Sequence, residues 1–329
     1  MSEQTVSPVG GRLAALRQRL DAAELSALLV THLPNVFYLT GFSGSAGGAL
    51  VTPDAVRLIV DSRYATAARA AAGLVDSGVI TVVDVDSSYE VTYRDLLRAS
   101  GAARVGVEAT HLTLAQYEWL RTALAEVGPE LVSSRGLVEA GRLVKDADEL
   151  RILTEAGARI STVMDAQLTR LRPGATELEM AADIDHAIRL AGFERPAFDT
   201  IVASGPNTAL PHASPGTRVI EKGDLVLIDF GGVARGYCVD ITRVASLGPA
   251  SEEAVGWHDA VRAAHQAALD AVSVGTTTGA VDTAARSSLE RRGLGNAFCH
   301  GTGHGLGIEV HEGPRVGRRR VPDGMVDPE

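Results

Sequence analysis

Two short apolar runs, each interrupted by one aspartate, constrain this chain more than any other feature. Leu225-Val226-Leu227-Ile228-Asp229-Phe230 reads as a strand, Tyr237 to Val244 (YCVDITRV) as a second, and Gly232-Val233-Ala234-Arg235-Gly236 between them is turn-like. A hairpin centred between Ala234 and Arg235 sets Asp229 directly across from Asp240, where side chains on one face have Cβ atoms about 4.5–5.5 Å apart. An ionised carboxylate inside an apolar strand is costly unless a cation meets it. Two that close repel, and one pKa rises unless they share a proton or a divalent cation lies between them. The hairpin therefore predicts a carboxylate dyad or a metal site. The alternative on the same residues is that Asp240 faces solvent and Asp229 pairs with a basic side chain such as Arg243.

Downstream, Phe298 to Glu312 (FCHGTGHGLGIEVHE) carries His300, His304 and His311, three of the nine histidines, spaced by glycines that let backbone and ring approach one centre. His300 and His304 are four apart but sit in a glycine-rich, non-helical run, so this is not the helical HExxH arrangement. A solvated histidine-rich loop is the plainer alternative. His212 lies in Pro211-His212-Ala213-Ser214-Pro215, a loop stiffened by two prolines, and taken alone it reads as structural. Two carboxylates with an imidazole suit Mn²⁺, Co²⁺ or Zn²⁺ rather than Ca²⁺. Carboxylates that bridge imply two ions about 3.5–4 Å apart, a geometry that binds and ionises a shared water.

With 329 residues, 45% of them hydrophobic and 22% charged, the chain has material for about two domains. A net charge of −10, with no long basic block beyond Arg318, Arg319 and Arg320, argues against nucleic acid as a partner. No stretch approaches the roughly 18 apolar residues of a membrane span and the N-terminus lacks a signal pattern, so no membrane partner and a cytoplasmic location are expected. Cys238 and Cys299 form neither a disulfide framework nor a CxxC, and Cys238 shares the strand face of Asp240.

Helical and strand signals alternate from Leu13 to Glu126, which predicts a mixed α/β domain. Gly41–Gly48 within it reads as a tight turn rather than a phosphate cradle. Glycine, proline and serine interrupt the pattern at 127–135, where the linker is placed. Beyond it, Asp146 and Glu149 suggest a capped helix from Ala147 to Leu171, stopped by Pro173-Gly174. Thr176 and Glu179 form a capping box for a second helix ending near Gly192, and two more helices are expected over Glu252–Val272 and Gly279–Arg292.

Asp229, Asp240 and the series HGTGHGLGIEVHE together resemble the pita-bread metallopeptidases, which include Xaa-Pro dipeptidase (prolidase), aminopeptidase P and methionine aminopeptidase. The resemblance extends through Leu143-Val144-Lys145, Asp148-Glu149 and Ala209-Leu210-Pro211-His212. Asn35 to Phe42 (NVFYLTGF) and Asp61-Ser62-Arg63-Tyr64 resemble the creatinase-type domain that precedes the catalytic domain of prolidases and aminopeptidases P, which argues against methionine aminopeptidase.

The implied fold is an α/β N-terminal creatinase-type domain, residues 1–135, followed by an α+β pita-bread domain, residues 136–329, that is C-terminally incomplete. The resemblance implies that Asp229 and Asp240 bridge or chelate two divalent ions, Mn²⁺ or Co²⁺ with Zn²⁺ as a further candidate, and that His304 ligates one of them. It implies that His212, His300 and His311 hold substrate and steady the tetrahedral intermediate while a homodimer cleaves proline-containing peptides before proline. The family's site uses no thiolate, which implies that Cys238 is a small buried filler. In the family a GMV turn leads to a Glu-Pro-Gly glutamate and later to a second glutamate. Here Gly324-Met325-Val326 is followed by Asp327-Pro328-Glu329, and the ligand role is not transferred to Glu329. Two alternatives therefore stand beside the peptidase: an impaired pita-bread pseudoenzyme or peptide-binding protein, and a metal-free creatinase-like hydrolase.

Overall fold

A computed structural model describes residues 8–74 and 79–318, and the chain divides into two units between Asp146 and Ala147. The first unit runs α1 (Pro8–Ala22), β1 (Ala27–Val30), α2 (Leu33–Thr40), β2 (Gly48–Val51), β3 (Val56–Val60), α3 (Ala65–Leu74), β4 (Ile80–Asp84), α4 (Tyr89–Ala99), β5 (Arg104–Glu108), α5 (Leu114–Leu124), β6 (Glu130–Ser134) and α6 (Glu139–Arg142). Its strands form one sheet in the order β4-β3-β2-β1-β5-β6. β1, β5 and β6 are parallel, as are β3 and β4, whereas β2 is antiparallel to both of its neighbours. β1 and β2 are buried at every position, and strands covered on both faces read as unbroken apolar runs. Leu29, Leu50, Ile59, Val105 and Val107 share the core with Tyr93 and Leu97 of α4 and Leu120 and Leu124 of α5.

One part of this unit is unassigned in the sequence reading and another differs from it. The NVFYLTGF stretch lies largely in α2, a helix too short for its periodicity to stand out; a proline in its first turn and Gly41 at φ 70° bound it. The stretch 127–135, expected to be a linker, carries β6, which pairs with β5 along its whole length.

The second unit runs α7 (Ala147–Arg170), α8 (Glu177–Leu190), β7 (Arg195–Pro196), β8 (Ile201–Ser204), β9 (Leu225–Ala234), β10 (Tyr237–Ser246), α9 (Glu252–Ala271), α10 (Thr278–Glu290), β11 (Gly303–Gly305) and β12 (Glu312–Val316). The Thr176–Glu179 capping box is complete, with Glu179 N–H donating to Thr176 Oγ1 at 3.1 Å and Thr176 N–H to Glu179 Oε2 at 2.8 Å. Asp146, read as a cap for α7, accepts both Arg12 Nε and Nη2, at 2.9 and 2.7 Å. Glu149 accepts the Tyr237 hydroxyl at 3.1 Å.

Ile160, Met164, Met180 and Ile184 of α7 and α8 pack against Val202, Val226, Ile228 and Phe230. Because side chains alternate along a strand, Leu227 and Asp229 turn to the opposite face. Among the described residues no helix is long and apolar enough to cross a membrane.

Candidate metal centre

The β9–β10 hairpin turns one residue later than the sequence suggested. Arg235 and Gly236, at φ 51° and 78°, are its two central residues, and Ala234 pairs with Tyr237. Positive φ at both positions is the type I′ turn whose twist matches the flanking strands. Moving the centre by one residue moves every partner by two. Thr242 rather than Asp240 therefore stands across from Asp229, and Gly231 stands across from Asp240. An even shift preserves the face, and the two carboxylates become diagonal neighbours, still within reach of each other. At Gly231 a Cβ would lie 2.3 Å from the Val239 carbonyl oxygen and 2.8 Å from Phe198 Cε1, so the residue opposite Asp240 has to be glycine.

Both aspartates are half-buried. Burial pushes the Asp240 pKa up to about 6, reinforced by the negative charge of Asp229. Burial also raises Asp229, against the pull of the Thr242 hydroxyl, which donates to its Oδ1 at 2.8 Å. Arg243, the alternative partner for Asp229, donates instead to the Thr242 carbonyl at 2.8 Å. Two half-buried carboxyl groups on one strand face, one raised by the charge of the other, mark a place where a shared proton or a cation could sit.

His304 faces this pair from β11, its Nε2 3.8 Å from Asp240 Oδ2. Its Nδ1 lies 3.0 Å from the Gly305 carbonyl oxygen, which can only accept, so Nδ1 carries a proton in this contact. His311 packs edge-on against His304 with centroids 4.3 Å apart. Burial, then the neighbouring His304, lowers the His311 pKa and favours the neutral ring. His212 and His311 both act electrostatically on the Asp229 carboxyl. The structure therefore gathers Asp229, Asp240, His304, His311 and His212. His300 stands apart in contact terms, exposed and edge-on to Phe298 at 4.9 Å.

Each histidine loop is held by buried polar groups. Cys238 N–H donates to the Gly307 carbonyl at 2.7 Å and its thiol to the Ile308 carbonyl at 3.4 Å, tying the 304–311 loop to β10. Burial pushes the Cys238 thiol up to about 11, which fits the filler role expected of it. Asp282 and Arg286, one helical turn apart on α10, pair at 2.6 Å. Arg286 donates to the Phe298 and His300 carbonyls, and Asp282 accepts the Thr302 N–H and hydroxyl at 3.2 and 2.8 Å. Glu177 opens α8 and accepts Ser204 N–H and Oγ at one end of the His212 loop and Gly216 N–H at the other.

Sequence reasoning missed Thr242, Glu177, Asp282 and Arg286. Thr242 carried a signal, since it lies two residues beyond Asp240 and so on the same strand face. The partners of the other three are distant loops, which spacing does not reveal. Gly324-Met325-Val326 and Glu329 lie outside the described residues.

Residues 151–326 match metallopeptidase family M24, and residues 12–144 match the Creatinase/Prolidase N-terminal domain. An uncharacterized peptidase, YqhT, of Bacillus subtilis is 33% identical over 308 residues, covering 94% of this chain and 85% of its own. The solved Xaa-Pro dipeptidase from Bacillus anthracis superposes with a TM-score of 0.88 at 31% identity, over 94% of this chain and 85% of that one. The X-Pro aminopeptidase from Thermotoga maritima gives a TM-score of 0.81, also at 31% identity, over 91% and 85%.

Proposed function

The chain belongs to metallopeptidase family M24, with a creatinase-type domain ahead of a pita-bread domain, and on that premise we propose that it hydrolyses the peptide bond before proline. The observation that carries this reading is the Asp229–Asp240 pair, two half-buried carboxyl groups on one strand face, Asp240 raised by burial and by the Asp229 charge, with His304 Nε2 3.8 Å from Asp240 Oδ2. Two carboxylates and an imidazole are a donor set for first-row dications. Asp229, Asp240 and His304 would hold two such ions, Mn²⁺ or Co²⁺ first and Zn²⁺ next. Bound there, the ions supply Lewis acidity toward the scissile carbonyl and acidify a water.

The remaining steps fall to the chain's own side chains. The neutral His311 ring, beside His304, is placed to exchange a proton at the edge of the metal centre. His212, on the stiff proline-bounded loop and near enough for its charge to act on the Asp229 carboxyl, orients the peptide carbonyl by hydrogen bonding. His300 has Nδ1 directed to the Gly301 carbonyl at 2.7 Å, which leaves Nε2 to meet the substrate. Proline nitrogen carries no N–H, so a site selective for it gains by giving the leaving nitrogen a proton rather than by accepting a hydrogen bond from it.

The experiment is turnover by the Mn²⁺-loaded full chain of an Xaa-Pro dipeptide and an Xaa-Pro-Xaa tripeptide, each beside its Ala-for-Pro counterpart. Hydrolysis of the proline peptides alone is expected, and the better of the two shows whether dipeptidase or aminopeptidase activity dominates. Asp229→Asn and Asp240→Asn should each abolish it and lower Mn²⁺ retention in equilibrium dialysis. Tight peptide binding without hydrolysis, or full activity after metal removal, would overturn the proposal in favour of a binding protein or a creatinase-like hydrolase.

A further inference from the structure

The first unit contains a second cluster of metal-ligating side chains, built from parts the peptidase reading does not use. One imidazole nitrogen of His32, one of His111 and a carboxylate oxygen of Glu139 all lie within 4.8 Å of one another. Each residue follows a different strand: His32 comes two residues after β1, His111 three after β5 and Glu139 five after β6. Those three strands are adjacent and parallel in the sheet, so all three residues gather at one edge, outside the carboxyl ends of the strands. That edge is where open α/β sheets bind their ligands.

The supporting structure is specific as well. Glu108, the last residue of β5, is buried, and its Oε2 accepts Thr31 N–H at 2.6 Å and His32 N–H at 2.7 Å, which fixes the backbone at His32. Its main-chain carbonyl accepts His111 N–H at 3.1 Å, closing the turn that presents His111. Asn35 Nδ2 donates to Glu108 Oε1 at 2.7 Å and to Glu139 Oε1 at 2.6 Å, while its own Oδ1 accepts Arg142 Nη1 at 2.8 Å. One amide thus sets the orientation of Glu139, as outer hydrogen bonds set ligating carboxylates elsewhere. A cavity of about 10 Å³, close to the room one water needs, opens between Glu108, Ser134, Val138 and Glu139.

The two imidazoles lie face to face, centroids 3.4 Å apart and planes within 6°. Aromatic rings left to themselves prefer offset or edge-on contacts to such a sandwich, and two protonated rings would repel. Lone pairs of stacked rings lie in parallel planes, so holding one cation asks one ring to turn out of the stack, which removes the conflict. Ligand atoms about 2.0–2.1 Å from a tetrahedral Zn²⁺ are about 3.4 Å from one another, so closing a 4.8 Å span asks each atom to move about 0.7 Å, within reach of a ring rotation.

We propose that His32, His111 and Glu139 form a site for one first-row dication of the Zn²⁺ or Co²⁺ type, in the first unit and separate from Asp229, Asp240 and His304. The chemistry of two imidazoles and one carboxylate selects that class over Ca²⁺ or Mg²⁺.

The test is metal stoichiometry of the full chain in equilibrium dialysis against Co²⁺ and, separately, Zn²⁺, with thermal melting in chelator as the folding control. The Asp229→Asn/Asp240→Asn variant should retain about one ion per chain. Adding His32→Ala and His111→Ala should remove that ion. Glu139→Gln, which keeps the side-chain volume, should weaken its binding about tenfold or more while leaving the metal-free melting temperature in place. Equal metal content with and without the histidines overturns the proposal and leaves an ordinary imidazole–carboxylate cluster. Because the background variant already lacks the two aspartates, that result is independent of the peptidase reading.

Discussion

Replacing Glu177 should loosen the loop that carries His212 without touching any residue of the carboxylate pair. The Glu177 carboxylate, 1% exposed, accepts five hydrogen bonds of 2.8–3.2 Å: two from Ser204, two contacts from the Asn207 amide and one from Gly216 N–H. In Glu177→Ala the buried Ser204 N–H and the Gly216 N–H lose their acceptor. At about 1–3 kcal/mol for each donor left unsatisfied, the expected cost is about 2–6 kcal/mol.

Glu177→Gln keeps an oxygen for Ser204 but turns an NH₂ toward donors on Asn207 and Gly216, for about 1–3 kcal/mol. Burial alone would raise the Glu177 pKa, but the hydrogen bonds from Ser204, Asn207 and Gly216 outweigh it and hold the group below its ordinary value. A carboxylate lowered in the folded state adds stability that is fully present above its unfolded pKa and lost as pH falls through the folded value. Urea unfolding should therefore show wild type ahead of Glu177→Gln at pH 7, with the gap closing in acid below the ordinary carboxylate range. Hydrogen exchange over residues 204–216 should rise in the variant at neutral pH. Equal urea midpoints at pH 7, or a gap that persists unchanged in acid, would refute the reasoning.

Alanine at His212, His300 or His311 should lower kcat/KM by about 10²–10⁴, the range for a lost proton-transfer or electrostatic group, with metal content near wild type by elemental analysis. Arg286→Met should cost about 3–5 kcal/mol in thermal or urea unfolding, since it strands buried Asp282; Asp282→Asn/Arg286→Met should cost less than the sum of the single variants, and strict additivity would show that the pair is not coupled. Cys238, buried with its thiol pushed up to about 11, should resist alkylation at pH 8 under native conditions, whereas exposed Cys299 reacts; mass spectrometry of the labelled peptides checks this.

What the sequence made legible, and what it hid, follows from how local each determinant is. The Thr176–Glu179 capping box was readable because its two reciprocal bonds join residues three apart. The β9–β10 pairing and the shared face of its aspartates were readable because an apolar strand with one carboxylate leaves few other arrangements. The register was not. Gly232 to Gly236 offers several turns, and choosing the I′ turn at Arg235-Gly236 depends on a non-glycine residue accepting φ 51°. Arg235 does so while its guanidinium pairs with Glu155 at 2.7 Å, a contact made by a helix 80 positions away.

The same logic separates the metal centre from its supports. Ligand candidates announce themselves because aspartate in an apolar strand and histidine among glycines contradict their surroundings. Glu177, Asp282 and Arg286 announce nothing, since a charged residue on an amphipathic helix is expected to be solvated. What makes them structural is the arrival of loop backbone over them: Ser204 and Gly216 at Glu177, Phe298, His300 and Thr302 at the α10 pair. Loops rich in glycine and proline cannot satisfy their own N–H and C=O groups once they fold over a core. A buried carboxylate or guanidinium at a helix surface can, and in doing so fixes where a histidine points. The precision of the site therefore rests on residues whose substitution should leave the metal bound and the loops displaced, the opposite signature from substitution of Asp229 or Asp240.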